Sequence, residues 1–146
     1  MRKIFILVIT INFLITNSAQ ALNMKSLDDF FKIHSIIDPT AQIYAFQRCG
    51  ALYGMVSESD YAPDDIRKAK IAATAALFSG RAQTIYSKIN NKNSSESEKK
   101  ILAEIIKIQE LYEEDNNEIY LKESSKLAGY IYEDLVFCQK LEKIFN

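Results

Sequence analysis

Tryptophan is absent from this 146-residue chain, histidine occurs once, cysteine and proline occur twice each, and there are only four glycines. So little glycine and proline excludes collagen-like and low-complexity organisation. A hydrophobic share of 48% beside 25% charged residues excludes a disordered chain. One histidine and two cysteines fall short of the usual metal sites built from those residues, and neither cysteine stands in a C-x-x-C pair. No metal, cofactor or dithiol redox role is therefore expected. An excess of charge of one sign is missing too: 18 Lys and Arg face 19 Asp and Glu. That balance lacks the basic surplus of a nucleic-acid-binding domain, so no nucleic-acid partner is expected.

The chemical signatures are equally sparse. The chain holds no G-x-S-x-G elbow, P-loop or dinucleotide fingerprint. The Glu-x-x-His pairs of di-iron bundles are missing as well, and so is a haem-attachment or calcium-loop pattern. His34, near Asp28, Asp29 and Asp38, reads as a solvated side chain, and Glu113, Glu114, Asp115 and Glu118 read as a solvated helix end. No catalytic residue is assigned.

What the chain does carry begins at its N-terminus. Arg2 and Lys3 precede an uncharged run from Ile4 to Thr16, and Ala19-Gln20-Ala21 places small residues at the −3 and −1 positions of a cleavage site. A cationic start, a short apolar stretch and an A-x-A end form the pattern of a secretory signal peptide. The run is shorter than the roughly 20 apolar residues a membrane anchor needs. No cysteine follows it to accept an acyl anchor. The expectation is cleavage after Ala21, a single domain from Leu22 to Asn146, and a periplasmic or secreted location. No membrane insertion is expected after leader removal, because charged residues interrupt every later apolar stretch.

Period 3.6 dominates the rest, which predicts an all-α protein. Ser26 caps a short first helix running to about Asp38 and stopped by Pro39; Thr40 caps a second from Ala41 to about Ser57. Pro63 suits the first turn of a third helix reaching Asn90. Ser95-Glu96-Ser97-Glu98 has capping-box spacing and opens a fourth helix to about Glu114. Asp115-Asn116-Asn117 is the expected break before a fifth helix, Glu118 to Phe145. Ile101, Ile105, Ile108 and Tyr112 make a clean stripe on helix four. Ile71, Thr74, Phe78, Ala82, Ile85 and Ile89 align on helix three, and Tyr120, Leu127, Ile131, Cys138, Leu141 and Phe145 on helix five. Helix two is apolar on most sides and should be central. Four long helices with short polar loops predict an antiparallel bundle, with the short first helix across one end.

Cys49 and Cys138 each sit within an apolar stripe. Export favours pairing them, and alternating topology makes helices two and five candidate neighbours. Asp134 lies one turn before Cys138, where a buried carboxylate would need a partner, Arg48 the first candidate and Arg81 the second; the alternative is that Asp134 lies at the stripe's edge and reaches water. Gly50 and Gly54 form a G-x-x-x-G spacing that suits close helix packing, and Tyr112, Tyr120, Tyr130 and Tyr132 cluster late in the chain. Together these features point to a non-enzymatic binding or interaction protein with a protein partner in the cell envelope. The alternative is a small-molecule carrier or enzyme with a pocket inside the bundle near Arg48, Asp134 and tyrosines.

Overall fold

A computed structural model describes residues 24–62, 64–124 and 127–145. The expected leader with Ala19 and Ala21, and Pro63, lie outside the described residues. Five helices run in order: α1 Leu27–Phe31, α2 Pro39–Glu58, α3 Asp65–Asn90, α4 Ser94–Glu123 and α5 Gly129–Phe145. The protein is all-helical, with no strand among the described residues. No helix among those residues is long and apolar enough to cross a membrane.

The starts of α1 to α4 are set by side-chain caps, though not always the expected ones. Ser26 Oγ accepts from Asp29 N at 3.3 Å and opens α1. That helix ends at Phe31 rather than near Asp38. Beyond it, Ile33, Ile36 and Ile37 are 75%, 54% and 81% exposed. A periodic segment that buries none of its apolar residues gains nothing from tertiary packing to offset helix formation. Pro39 does not merely stop what precedes it. It occupies the first turn of α2, where its missing N–H costs nothing, and Asp38 rather than Thr40 is the cap, accepting from Thr40 N at 2.9 Å. Asp64 caps α3 through Arg67 N at 2.8 Å, and Asn91 closes it in the left-handed conformation. Asn93, two residues ahead of the expected capping box, caps α4 through Glu96 N at 2.9 Å.

The largest correction concerns Asp115-Asn116-Asn117, which α4 crosses without a break. Asp and Asn break helices when their side chains bond the local backbone instead. Here Asp115 and Asn116 turn inward and bond distant groups. Tyr130 Oη donates to Asp115, Asn116 Nδ2 donates to Tyr61 Oη at 2.7 Å, and Asn116 Oδ1 accepts from Leu127 N at 3.0 Å. The chain reverses instead at Ser124, which is left-handed and donates its N–H to Tyr120 O at 2.9 Å. Leu127 and Gly129 also have positive φ, at 54° and 57°; glycine suits that geometry, whereas the leucine is held by Asn116. Tyr120 consequently belongs to α4 and is exposed, and Leu127 lies in the connection before α5.

Buried side chains centre on α2, with Ala45, Phe46, Cys49, Leu52, Tyr53, Met55 and Val56 all in the core. α2 packs on α3, α4 and α5, and α1 packs on α5 through stacked Phe31 and Phe137 rings 5.3 Å apart. Phe78 of α3 meets Phe46 and Tyr53 of α2, and the α4 stripe of Ile101, Ile105, Ile108 and Tyr112 is buried throughout. On α3 only Phe78 and Ala82 are fully buried; Ile89 is exposed. The two glycines of α2 make room for its neighbours. A Cβ at Gly50 would lie 3.2 Å from Ser79 Oγ and 3.4 Å from Ile105 Cδ1, and one at Gly54 would lie 2.7 Å from Gln109 Oε1.

Cys49 and Cys138 form a disulfide between α2 and α5, Cα atoms 5.5 Å apart and 89 residues apart in sequence. In the chain-entropy account, closing a loop of this length stabilises the folded state by about 4–5 kcal/mol, and measured values are often about half of that. Replacing both cysteines by alanine is expected to lower unfolding stability by roughly 2–4 kcal/mol in a urea titration. The unreduced protein is expected to take up no thiol reagent, because both sulfurs are bonded and fully buried.

Candidate functional site

The most heavily built polar feature lies one residue from the disulfide. Arg48 and Asp134 are 1% and 0% exposed, and Arg48 Nη2 donates to Asp134 Oδ2 in a buried ion pair. Helix geometry explains why the two meet. Arg48 directly precedes Cys49 on α2, Asp134 lies one turn before Cys138 on α5, and the disulfide holds those helices together.

Neither charge is left unsatisfied. The Arg48 guanidinium also donates from Nε to Tyr112 Oη at 2.9 Å, and from Nη1 to Lys25 O at 2.7 Å and to Tyr44 Oη at 3.4 Å. Its Cζ lies 5.5–5.7 Å from the ring centroids of Tyr44, Tyr112 and Tyr130, an aromatic cage that favours a cation. The Asp134 carboxylate accepts from three donors: Arg48, the Tyr112 hydroxyl, and Leu27 N at 2.6 Å. Leu27 is the first residue of α1, so its N–H has no partner within that helix, and Asp134 supplies one from α5. The ion pair thus ties the stretch Lys25–Leu27, α2, α4 and α5 to one point.

Electrostatics follow burial. Desolvation pushes the Asp134 carboxyl above its ordinary range, opposed by Arg48 and by the donors Tyr112 and Leu27. Burial alone would lower Arg48, but Tyr112 and Asp134 outweigh it and hold the guanidinium above its usual value. Burial likewise pushes the Tyr112 and Tyr130 phenols up. The cation, the carboxylate and their phenol partners are mutually engaged, an arrangement suited to fixing register rather than to attacking a substrate.

A second polar cluster adjoins it. Tyr130, which stacks on Tyr112 at 5.9 Å, donates to Asp115 Oδ2, while Asp115 Oδ1 is buried without a hydrogen-bond partner. Burial pushes the Asp115 carboxyl up, and the Glu118 carboxylate adds to that rise. Glu113, Glu114 and Glu118 point to solvent, so the acidic run divides into one inward and three outward side chains. No group of three or more His, Cys, Asp or Glu among the described residues is placed to hold a metal ion. His34 lies in the exposed turn after α1, stacked on Phe30 at 4.2 Å.

Arg81 does not reach Asp134; it lines an open groove between α2 and α3, about 590 Å³ in volume, with Gln42, Phe46, Leu77, Thr84 and Ile85. None of the four grooves described is lined by Arg48 or Asp134. Of the late tyrosines, Tyr112 and Tyr130 join the centre, whereas Tyr120 and Tyr132 are exposed. Sequence reasoning passed over the roles of Tyr44 and Tyr112. Tyr112 carried a readable signal, as the one polar member of an isoleucine stripe that must find a partner for its hydroxyl once buried. The contributions of Lys25 O and Leu27 N are backbone groups and left no trace in side-chain pattern.

Two measurements follow. Asp134→Ala leaves the Arg48 cation buried without its counter-ion and is expected to cost about 3–5 kcal/mol in urea unfolding. The Arg48→Met, Asp134→Leu double variant is expected to be markedly less damaged than the Asp134→Ala protein, because it removes both charges. A carboxyl whose folded pKa is raised binds its proton more readily in the folded state. Its contribution therefore favours folding at low pH and is lost as pH rises from the ordinary carboxylate range through the raised value. Asp115→Asn is expected to remove part of that fall in a stability–pH profile, Asp134 supplying a part of the same sign. No protein-family model matches this chain, and neither a curated protein nor a solved structure is found similar to it.

Proposed function

We propose that this is a non-enzymatic binding protein of the extracytoplasmic space, cut from its leader between Ala21 and Leu22. In this reading it docks a partner protein of the cell envelope at the open α2–α3 groove and the isoleucine turn beside it. The chain works as one domain of antiparallel helices. Successive pairs support that arrangement: Gln83 of α3 bonds Ser94 of α4, while Ala76 and Leu102 lie on one groove further along, and Ile119 nears Gly129 while Tyr112 meets Asp134. The disulfide suits an oxidising compartment, since such bonds persist mainly outside the cytoplasm.

One observation carries the docking reading. Ile33, Ile36 and Ile37 are all more than half exposed. Their turn is fixed to the groove wall, because Gln42 Nε2 donates to Ile36 O at 2.8 Å and Gln42 itself lines the groove. Grouped exposed apolar side chains at the mouth of a concave apolar surface are the usual mark of an interaction site. The rival reading, a carrier or enzyme with an interior pocket at Arg48 and Asp134, draws less support, because those side chains are spent on one another and on Tyr112, Tyr44 and the α1 entry.

A photo-reactive residue placed at Ile36 or Leu77 in living cells is expected to give a discrete cross-linked adduct. The same residue at Ile66, which is 83% exposed at the start of α3, is expected to give none. Equal labelling at all three sites, or none at any, counts against the docking surface.

A further inference from the structure

The second unpartnered face lies on α3 and α4, away from the isoleucine turn. Along α3, Ala69, Ala73, Ala76, Gly80 and Thr84 recur at helical spacing, and all are exposed. Beside them on α4, Leu102 and Ile106 are 43% and 56% exposed one turn apart. Leu102 shares a groove with Ala76, Ser79, Gly80 and Gln83, so the two rows belong to one surface. The face is low over α3, where nothing lies within 4 Å of a Cβ built at Gly80, and raised over α4 by the leucine and isoleucine.

Charge divides along the same line. Over its whole length α3 carries five cations against one acid, Asp65, whereas α4, its buried Asp115 aside, carries eight acids against four cations. A surface with a low basic helix beside a ridged acidic one is complementary to itself. A two-fold axis lying in the plane of the face, parallel to the helices and passing between them, would set each α3 on the other copy's α4. Leu102 and Ile106 would then enter the trough over Gly80, and the basic helix would meet the acidic one. Stacking like on like would instead oppose five cations with five. The area suffices: α3 spans ~39 Å. Two adjacent helices are roughly 20 Å wide, giving on the order of 800 Å² per partner, the size of an ordinary stable interface.

We infer that the α3–α4 face is the seam of a homodimer, its occupant a second copy of this chain. This stands apart from the docking reading above. The two surfaces share the edge formed by Ala76, Gly80 and Thr84, and the test reads mass rather than ligand binding.

Light-scattering mass of the purified, disulfide-bonded protein at micromolar concentration is expected to be twice that of one chain. Gly80→Gln is expected to yield the single-chain mass with unchanged helical circular dichroism, since the site is open in the monomer and glutamine is the better helix former. Ile106→Glu is expected to give the same single-chain mass. Gly80→Ala, which adds one small group, is expected to keep the doubled mass. A wild-type protein of single-chain mass, which would leave the trough to a foreign helix, overturns the inference. So does a dimer that survives Gly80→Gln or Ile106→Glu.

Discussion

The architecture hangs on a guanidinium and a carboxylate that water does not reach. Removing two charges from water is costly, and their attraction offsets that cost only when every remaining donor and acceptor is also engaged. Arg48 and Asp134 meet that condition by recruiting phenols from α2 and α4 and backbone groups from the α1 entry. Apolar packing tolerates small rotations of one helix against another; this centre does not, because a shift of an ångström or two would strand a charge. Its contribution is therefore chiefly to uniqueness of register, with stability supplied by the aliphatic and aromatic core around α2.

The disulfide and the ion pair divide the labour at one level of the helical core. The covalent link acts largely on the unfolded chain, by forbidding extended conformations of the 89-residue loop. The ionic link acts on the folded one, by selecting a single arrangement among those the disulfide permits. Between them α2 is anchored on the side of α5, while Gly50 and Gly54 let α3 and α4 approach its other sides. A helix so enclosed has little polar face to spare, which accounts for its low share of charged residues.

Much of this was legible from residue pattern. Helical class, the central place of α2 and the α4 stripe follow from spacing, because apolar periodicity and burial are two views of one constraint, while the pairing of Cys49 with Cys138 was expected from export and alternating topology. Arg48 as the neighbour of Asp134 was legible for the same reason, each being fixed relative to a cysteine. The helix ends were less so. Asp38 and Asn93 cap where Thr40 and Ser95 were expected, and Asp64 caps α3, whose first turn was expected at Pro63. Asp115 and Asn116 misled outright: local chemistry favours a break there, and only Tyr130, Tyr61 and Leu127, brought close by the fold, make continuation the better solution.

Asp134 and Cys138 both lie on α5, which follows α1 to α4 in the chain. Until it arrives, a nascent α2 holds a cation without a counter-ion and a thiol without a mate, beside a core lacking one wall. The ion pair and the disulfide therefore close only once α5 has been made. A polypeptide truncated before α5 would present a reactive thiol and an open apolar flank, features by which quality-control proteases distinguish unfinished products from finished ones.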